Sequence, residues 1–121
     1  MPFFRTDDQM HGHPKARRAG LNALGLWGMA GSHSMAYKTD GFVPEWFVAS
    51  WPAGRKAAES LVSVGLWSTA ERDGETGYQF HDWLDYQPSA DEIERDRERA
   101  RQRARDSRQR LRDGKKKGDD K

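Results

Sequence analysis

The chain has 121 residues, 33% of them charged and 35% hydrophobic, and no cysteine. That length suits one small domain with an extension, and the missing cysteine excludes a disulfide framework, a thiolate metal site and a cysteine nucleophile. The charge is divided: residues 1–88 carry 8 Lys and Arg against 10 Asp and Glu, whereas residues 89–121 carry 13 against 9. All 5 Trp, 3 Tyr and 5 Phe precede residue 88. A slightly acidic aromatic body is therefore expected over 1–88, a charged, arginine-rich helix over 89–113 and a disordered basic tail over 114–121. No apolar run reaches the roughly 18 residues of a membrane helix. The start, "MPFFRTDDQM", lacks the layout of a signal peptide. A soluble cytoplasmic protein without a membrane partner is the expectation.

In chain order, "PFFRTD" is a candidate strand whose leading Pro2 suits a sheet edge. "HPKARRAG" predicts a short helix, with Pro14 at its first position and Gly20 at its end. "LNALGLWGMAGSHSMAY" predicts a second helix with a broad apolar face of Leu21, Leu24, Trp27, Met29, Met35 and Ala36. Its glycines, Gly25, Gly28 and Gly31, each cost about 1 kcal/mol of propensity against Ala and suggest close packing. "TDG" is a turn and "FVP" a very short strand. "PEWFVASW" starts a short helix at Pro44. "AGRKAAESLVSVG" is another, with Ala58, Leu61 and Val62 inward and Gly65 as its stop. "LWSTAE", "RDGETG" and "YQFHDW" read as a hairpin closed by an Asp-Gly turn.

The predicted fold class is α+β, mainly α. Two short helices joined by "SWPAG" and followed by a hairpin have the layout of a winged helix-turn-helix. Beyond Pro88, Ser89 and Glu92 have capping-box spacing. Asp91 with Arg95, Glu94 with Arg97 and Glu98 with Arg101 are at helical-neighbour spacing, about 0.2–0.5 kcal/mol each. The apolar stripe Ile93, Ala100, Ala104 and Leu111 is too thin for a coiled coil, and the oligomeric state stays open.

The densest chemical signal is the basic run, with 10 positive and 2 negative residues between Arg99 and Lys117. Arg99, Arg101, Arg103, Arg105, Arg108, Arg110 and Arg112 are planar donors suited to phosphate. Such a segment binds nucleic acid through counterion release, without sequence choice. The plainer reading is a solvated helix or one that meets an acidic protein. On the candidate recognition helix, Arg55, Lys56, Ser60 and Ser63 point outward and could meet base edges or phosphates. Arg72 is the cation of the candidate wing, but Glu71, Asp73 and Glu75 surround it. His11, His13, His33 and His81 with Asp7, Asp8 and Asp82 are a conceivable metal set, and Asp7–Asp8 or Asp82–Asp85 a conceivable acid pair. Caps and surface histidines are the plainer account of both. The expectation is no metal, no cofactor and no enzymatic activity. The five tryptophans could stack on single-stranded bases, but their alternation with Leu, Val and Phe favours a core.

The stretches "FFRTDDQMHGHPKARRAG", "LGLWGMAGSHS", "TDGFVP", "LVSVGLW" and "YQFHDWLDYQPS", followed by an acid-then-arginine helix, resemble a group of actinobacteriophage and prophage proteins. These are helix-turn-helix, replication-initiation or replisome-organiser-like proteins. The resemblance spans about residues 3 to 105. It implies a winged-helix module on a phage protein that binds double-stranded DNA, with a host or phage replication protein as a second partner, and it supplies no catalytic residues. Two functions stay open. One is a phage-type DNA-binding protein acting in replication initiation or regulation. The other is a winged-helix module that docks a protein and does not read DNA. A small nuclease is a third, weaker alternative.

Overall fold

The computed structural model describes residues 3–119, with side chains described as far as residue 114. It is an α+β arrangement, mainly helical, with a small antiparallel sheet of three strands. Two compact units divide between Ser89 and Ala90. The first contains α1 (Pro14–Ala19), α2 (Leu21–Tyr37), β1 (Phe42–Pro44), α3 (Glu45–Ala49), α4 (Gly54–Ser63), β2 (Trp67–Arg72), β3 (Glu75–Phe80) and α5 (Trp83–Tyr86). The second is a single helix, α6 (Ala90–Asp119).

The strand expected over residues 2–7 does not form; Pro2 itself lies outside the described residues. Residues 3–7 have no regular structure, because a side chain takes the backbone bonds that a strand would need. The Arg5 amide donates to Gln87 Oε1 at 2.9 Å, and Gln87 Nε2 donates to the Arg5 carbonyl at 2.6 Å. Gln87 is buried, so its amide satisfies both groups of Arg5 and is itself satisfied. This pairing seats the Phe4 ring against Trp27, Phe80 and Trp83, with centroids 4.8, 5.8 and 5.8 Å away.

Helix α1 starts as expected, with Pro14 in its first turn and the His13 Nδ1 accepting from the Lys15 amide at 3.2 Å. Gly20, at φ 84°, reverses the chain into α2. The buried face of α2 is Ala23, Leu26, Ala30, Gly31, Ser34 and Met35. This matches the expected face only in part: Met35 is buried and Leu24 and Trp27 half-buried, but Leu21, Met29 and Ala36 are exposed. Large rings fill the space beside the helix, and small side chains let them approach. Phe4 lies directly on Gly31, where a Cβ would collide with its ring. Gly25 and Gly28 have no such neighbour, so only Gly31 serves close packing.

A chain of hydroxyls then turns α2 into β1. The Gly41 amide donates to Ser34 Oγ at 2.7 Å, Ser34 Oγ and Thr39 Oγ1 are 2.6 Å apart, and Thr39 Oγ1 donates to the Phe42 carbonyl at 2.7 Å. Each hydroxyl has one proton, so Ser34 must donate to Thr39. Lys38, Asp40 and Gly41 all take positive φ in this reversal. It is tied to β3 by the Gln79 side chain, which donates to the Asp40 carbonyl at 2.9 Å, and by the Phe80 amide, which donates to the Gly41 carbonyl at 2.9 Å.

The sheet order is β1-β3-β2. Phe42 faces Gln79 and Pro44 faces Gly77 on one side of β3; Trp67 faces Phe80 and Arg72 faces Glu75 on the other. Asp73 and Gly74, both at positive φ, close the hairpin in two residues, as the Asp-Gly signal predicts. The second strand ends at Phe80, earlier than "YQFHDW" suggests. Asp82 turns left-handed at φ 55° and places Trp83 in the one-turn helix α5, with its ring buried. Val43, Val48, Ala58, Leu61 and Trp67 form the deepest part of the core.

In α6 the Glu94–Arg97 and Glu98–Arg101 pairs form, at 3.4 and 2.8 Å, while Asp91 and Arg95 make no ion pair among the described residues. Ala100, Ala104 and Leu111 are exposed. The tail expected to be disordered from residue 114 is helical through Gly114 to Asp119. Glycine lowers helix propensity by about 1 kcal/mol but keeps its amide and carbonyl in the ladder. Residues 120 and 121 lie outside the described residues. Among the described residues, no helix is long and apolar enough to cross a membrane.

Two substitutions test this account. Ser34→Ala leaves the buried Gly41 amide without its acceptor and should cost about 1–3 kcal/mol in urea unfolding. Gly77→Ala drives a Cβ into the Val43 carbonyl, 3.0 Å from the Phe42 ring, and should cost a similar ~1–3 kcal/mol. An unchanged midpoint in either variant would contradict the packing described.

Candidate nucleic-acid interface

Helix α4 presents the residues expected of a recognition helix. Its buried side is Gly54, Ala57, Ala58 and Leu61, which leaves Arg55, Lys56, Glu59 and Ser63 exposed and Ser60 half-buried. The helix starts from Ala53, a left-handed residue at φ 55° with no side-chain cap. Gly54 is needed behind it, because a Cβ there would meet the Val48 carbonyl. The Arg55 guanidinium is largely exposed, and its Nε lies 3.5 Å from Glu45 Oε1 on α3. Ser60 Oγ donates to the Lys56 carbonyl at 3.3 Å and Ser63 Oγ to the Ser60 carbonyl at 3.1 Å. Both hydroxyl protons are engaged within the helix, so these serines present only acceptor lone pairs outward.

Arg72 differs from its expected role. It stands at the hairpin end, but its guanidinium donates to the Thr39 carbonyl and so braces the α2–β1 reversal. The exposed edge of the hairpin is acidic. Glu45, Thr69, Ala70, Glu71, Thr76, Gly77 and Tyr78 line an open cleft between α3 and the sheet. Burial, with Glu45 and then Glu59 nearby, pushes the Tyr78 phenol above its ordinary value, against the opposing pull of Arg55.

The arginines of α6 fall into two sets. Arg99 pairs with Asp96 at 3.7 Å, and Arg101 and Arg105 share Glu98 at 2.8 and 3.2 Å. The Arg101 hydrogen bonds and charge, helped by Arg105, hold the Glu98 carboxyl below the usual carboxylate value. Arg103, Arg108, Arg110 and Arg112 form no ion pair among the described residues. Within the run from Arg99 to Arg112, these four are the guanidiniums most available to a phosphate.

The histidines do not come together. His11 Nδ1 lies 3.2 Å from the Asp8 carbonyl, His13 caps α1, and His81 Nε2 lies 2.9 Å from Asp82 Oδ2. Among the described residues, no group of three His, Asp or Glu side chains is placed to hold a metal ion.

One feature escaped the sequence reading. Trp67 and Trp83 are core residues, but Trp46 and Trp51 are exposed, as is Tyr37. They surround His33 and Phe47, whose rings stack at 4.4 Å and 8°. His33 lies 4.8 Å from Tyr37 and 5.6 Å from Trp46, and Phe47 lies 6.1 Å from Trp51, between ring centroids. The available signal was that α3 has only five residues. A helix so short buries one position well, here Val48, and leaves its other large side chains at the surface. No known protein family, curated protein or solved structure matches the chain.

Burial holds the His33 pKa below its ordinary value of 6.5. The folded state thus resists a proton that the unfolded chain accepts. Its stabilising contribution is complete above 6.5 and is lost as pH falls through the lowered folded value. The stability gap between the wild type and His33→Gln should narrow between about pH 7.5 and about pH 5. Urea titrations at both pH values measure it, and a gap independent of pH would contradict the burial effect.

Proposed function

We propose that the chain is a phage-type DNA-binding protein, acting in replication initiation or regulation, with α6 as its phosphate-binding element. Arg103, Arg108, Arg110 and Arg112, without ion pairs among the described residues and within a run of 10 positive and 2 negative residues, carry this reading. Neutralising phosphates releases counterions, so such a helix binds duplex without regard to sequence. The body adds a second support. Its order of helix, strand, two helices and hairpin, with β1 paired to β3, suits a winged helix-turn-helix in which α4 is the reading helix and the hairpin the wing. Arg55 and Lys56 are then its duplex contacts. The resemblance to actinobacteriophage replication proteins agrees with both.

The carboxylate-lined cleft favours a second reading. Glu45, Glu59 and Glu71 would repel phosphate where a winged helix normally meets its groove. A body of this kind would dock a basic protein segment, and α6 alone would hold DNA.

Salt-dependent duplex binding by the full chain separates the two. With both elements engaged, Arg103, Arg108, Arg110 and Arg112 changed together to Gln should lower the salt slope by up to about 0.9 per arginine that had met a phosphate. Arg55→Ala with Lys56→Ala should weaken binding to a selected site more than to random duplex. If the α4 change has no effect while the α6 change removes binding, the docking reading stands. If the full chain does not bind duplex at low salt, the DNA-binding reading falls.

A further inference from the structure

We propose that the ring cluster of α2, α3 and the α3–α4 turn is a stacking platform for single-stranded nucleic acid. Tyr37, Trp46 and Trp51 are 73%, 60% and 41% exposed. A folded surface seldom gathers three large rings in one place without a use. The rings are held rather than loose. His33 and Phe47, both half-buried, form the base of the cluster, and each exposed ring leans on one of them. The Trp46 ring also meets Phe47 edge-on at 6.2 Å. Such rings meet a planar partner at low entropic cost, since few rotamers remain to be lost.

The surrounding charge selects the partner. Arg55 and Lys56 begin α4 and line one open hollow together with Trp51. Glu45, beside Trp46, is already met by Arg55. An aromatic face beside Arg55 and Lys56 suits a chain that alternates flat rings with phosphates. A basic peptide would be repelled by Lys56 beside Trp51 in this hollow. A duplex keeps its base faces inside its own stack, whereas a single strand can splay them onto side chains. Stacking on a ring tolerates any base, so little sequence preference is expected. This site uses no residue of α6 and does not depend on duplex binding.

The test compares two labelled strands of equal length and phosphate number, an oligothymidylate of about 20 nucleotides and an abasic strand. The full chain is titrated with each, and anisotropy and tryptophan fluorescence are read. The expected result is quenching by oligothymidylate alone, with about tenfold tighter binding than to the abasic strand. Trp46→Ala with Trp51→Ala should abolish the quenching and lose about tenfold in affinity, down to the abasic level. Trp46→Phe should retain most of the preference. Duplex affinity in the same buffer should not change, which separates this site from the α6 reading. Equal binding of both strands, or an unaltered preference in the double variant, would overturn the proposal. So would a self-association of the wild type that the double variant lacks while its preference for oligothymidylate persists, because the rings would then be a contact between protein copies.

Discussion

The hydroxyl of Ser34 sets the geometry of the body. It is buried near the end of α2, accepts from the Gly41 amide and meets the Thr39 hydroxyl. This fixes a reversal in which Lys38, Asp40 and Gly41 all take positive φ. Two of these residues have a Cβ, so the turn would be strained without such support. Everything downstream inherits its position. The reversal places β1 beside β3, and Gln79, Phe80 and Arg72 each bond to one of its carbonyls. The sheet in turn fixes where α3 and α4 lie and which of their side chains face outward.

A second constraint is volume. Phe4, Trp27, Phe80 and Trp83 form one ring cluster that needs a flat helix face to rest against. Alanine, glycine and serine on α2 supply it. The aromatic side chains of the body are thus of two kinds. Phe42, Trp67, Phe80 and Trp83 fill the core, with Phe4 and Trp27 packed on them, whereas Phe3 and Tyr86 at the chain ends of the body are exposed. Those on the short α3, the following turn and the end of α2 stay at the surface as a separate cluster. The first kind builds the core, and the second takes no part in it.

Charge gives the molecule two electrostatic characters. The body has glutamates along the cleft by its hairpin and cations at the start of α4. Helix α6 neutralises part of its own arginine charge through Glu94, Asp96 and Glu98 and leaves the later arginines open.

Local chemistry determined much of this protein by itself. Pro14 and Gly20 bounded α1, Asp73-Gly74 closed the hairpin, and the loss of aromatic residues after Pro88 marked the change to a charged helix. These signals act over a few residues, through fixed dihedral angles and the solvation of charge, so they can be read from the order of side chains. The tertiary structure decided what depends on distant partners. Gln87 captured the backbone of Arg5 across the whole body and prevented a strand. Ring volume turned the small face of α2 inward in place of the face with Leu21 and Met29. The shortness of α3 left Trp46 and Trp51 outside, and Thr39 took the Arg72 guanidinium. Burial and hydrogen bonding between residues far apart in sequence have no local signature, because each is set by which group reaches the shared space first in three dimensions.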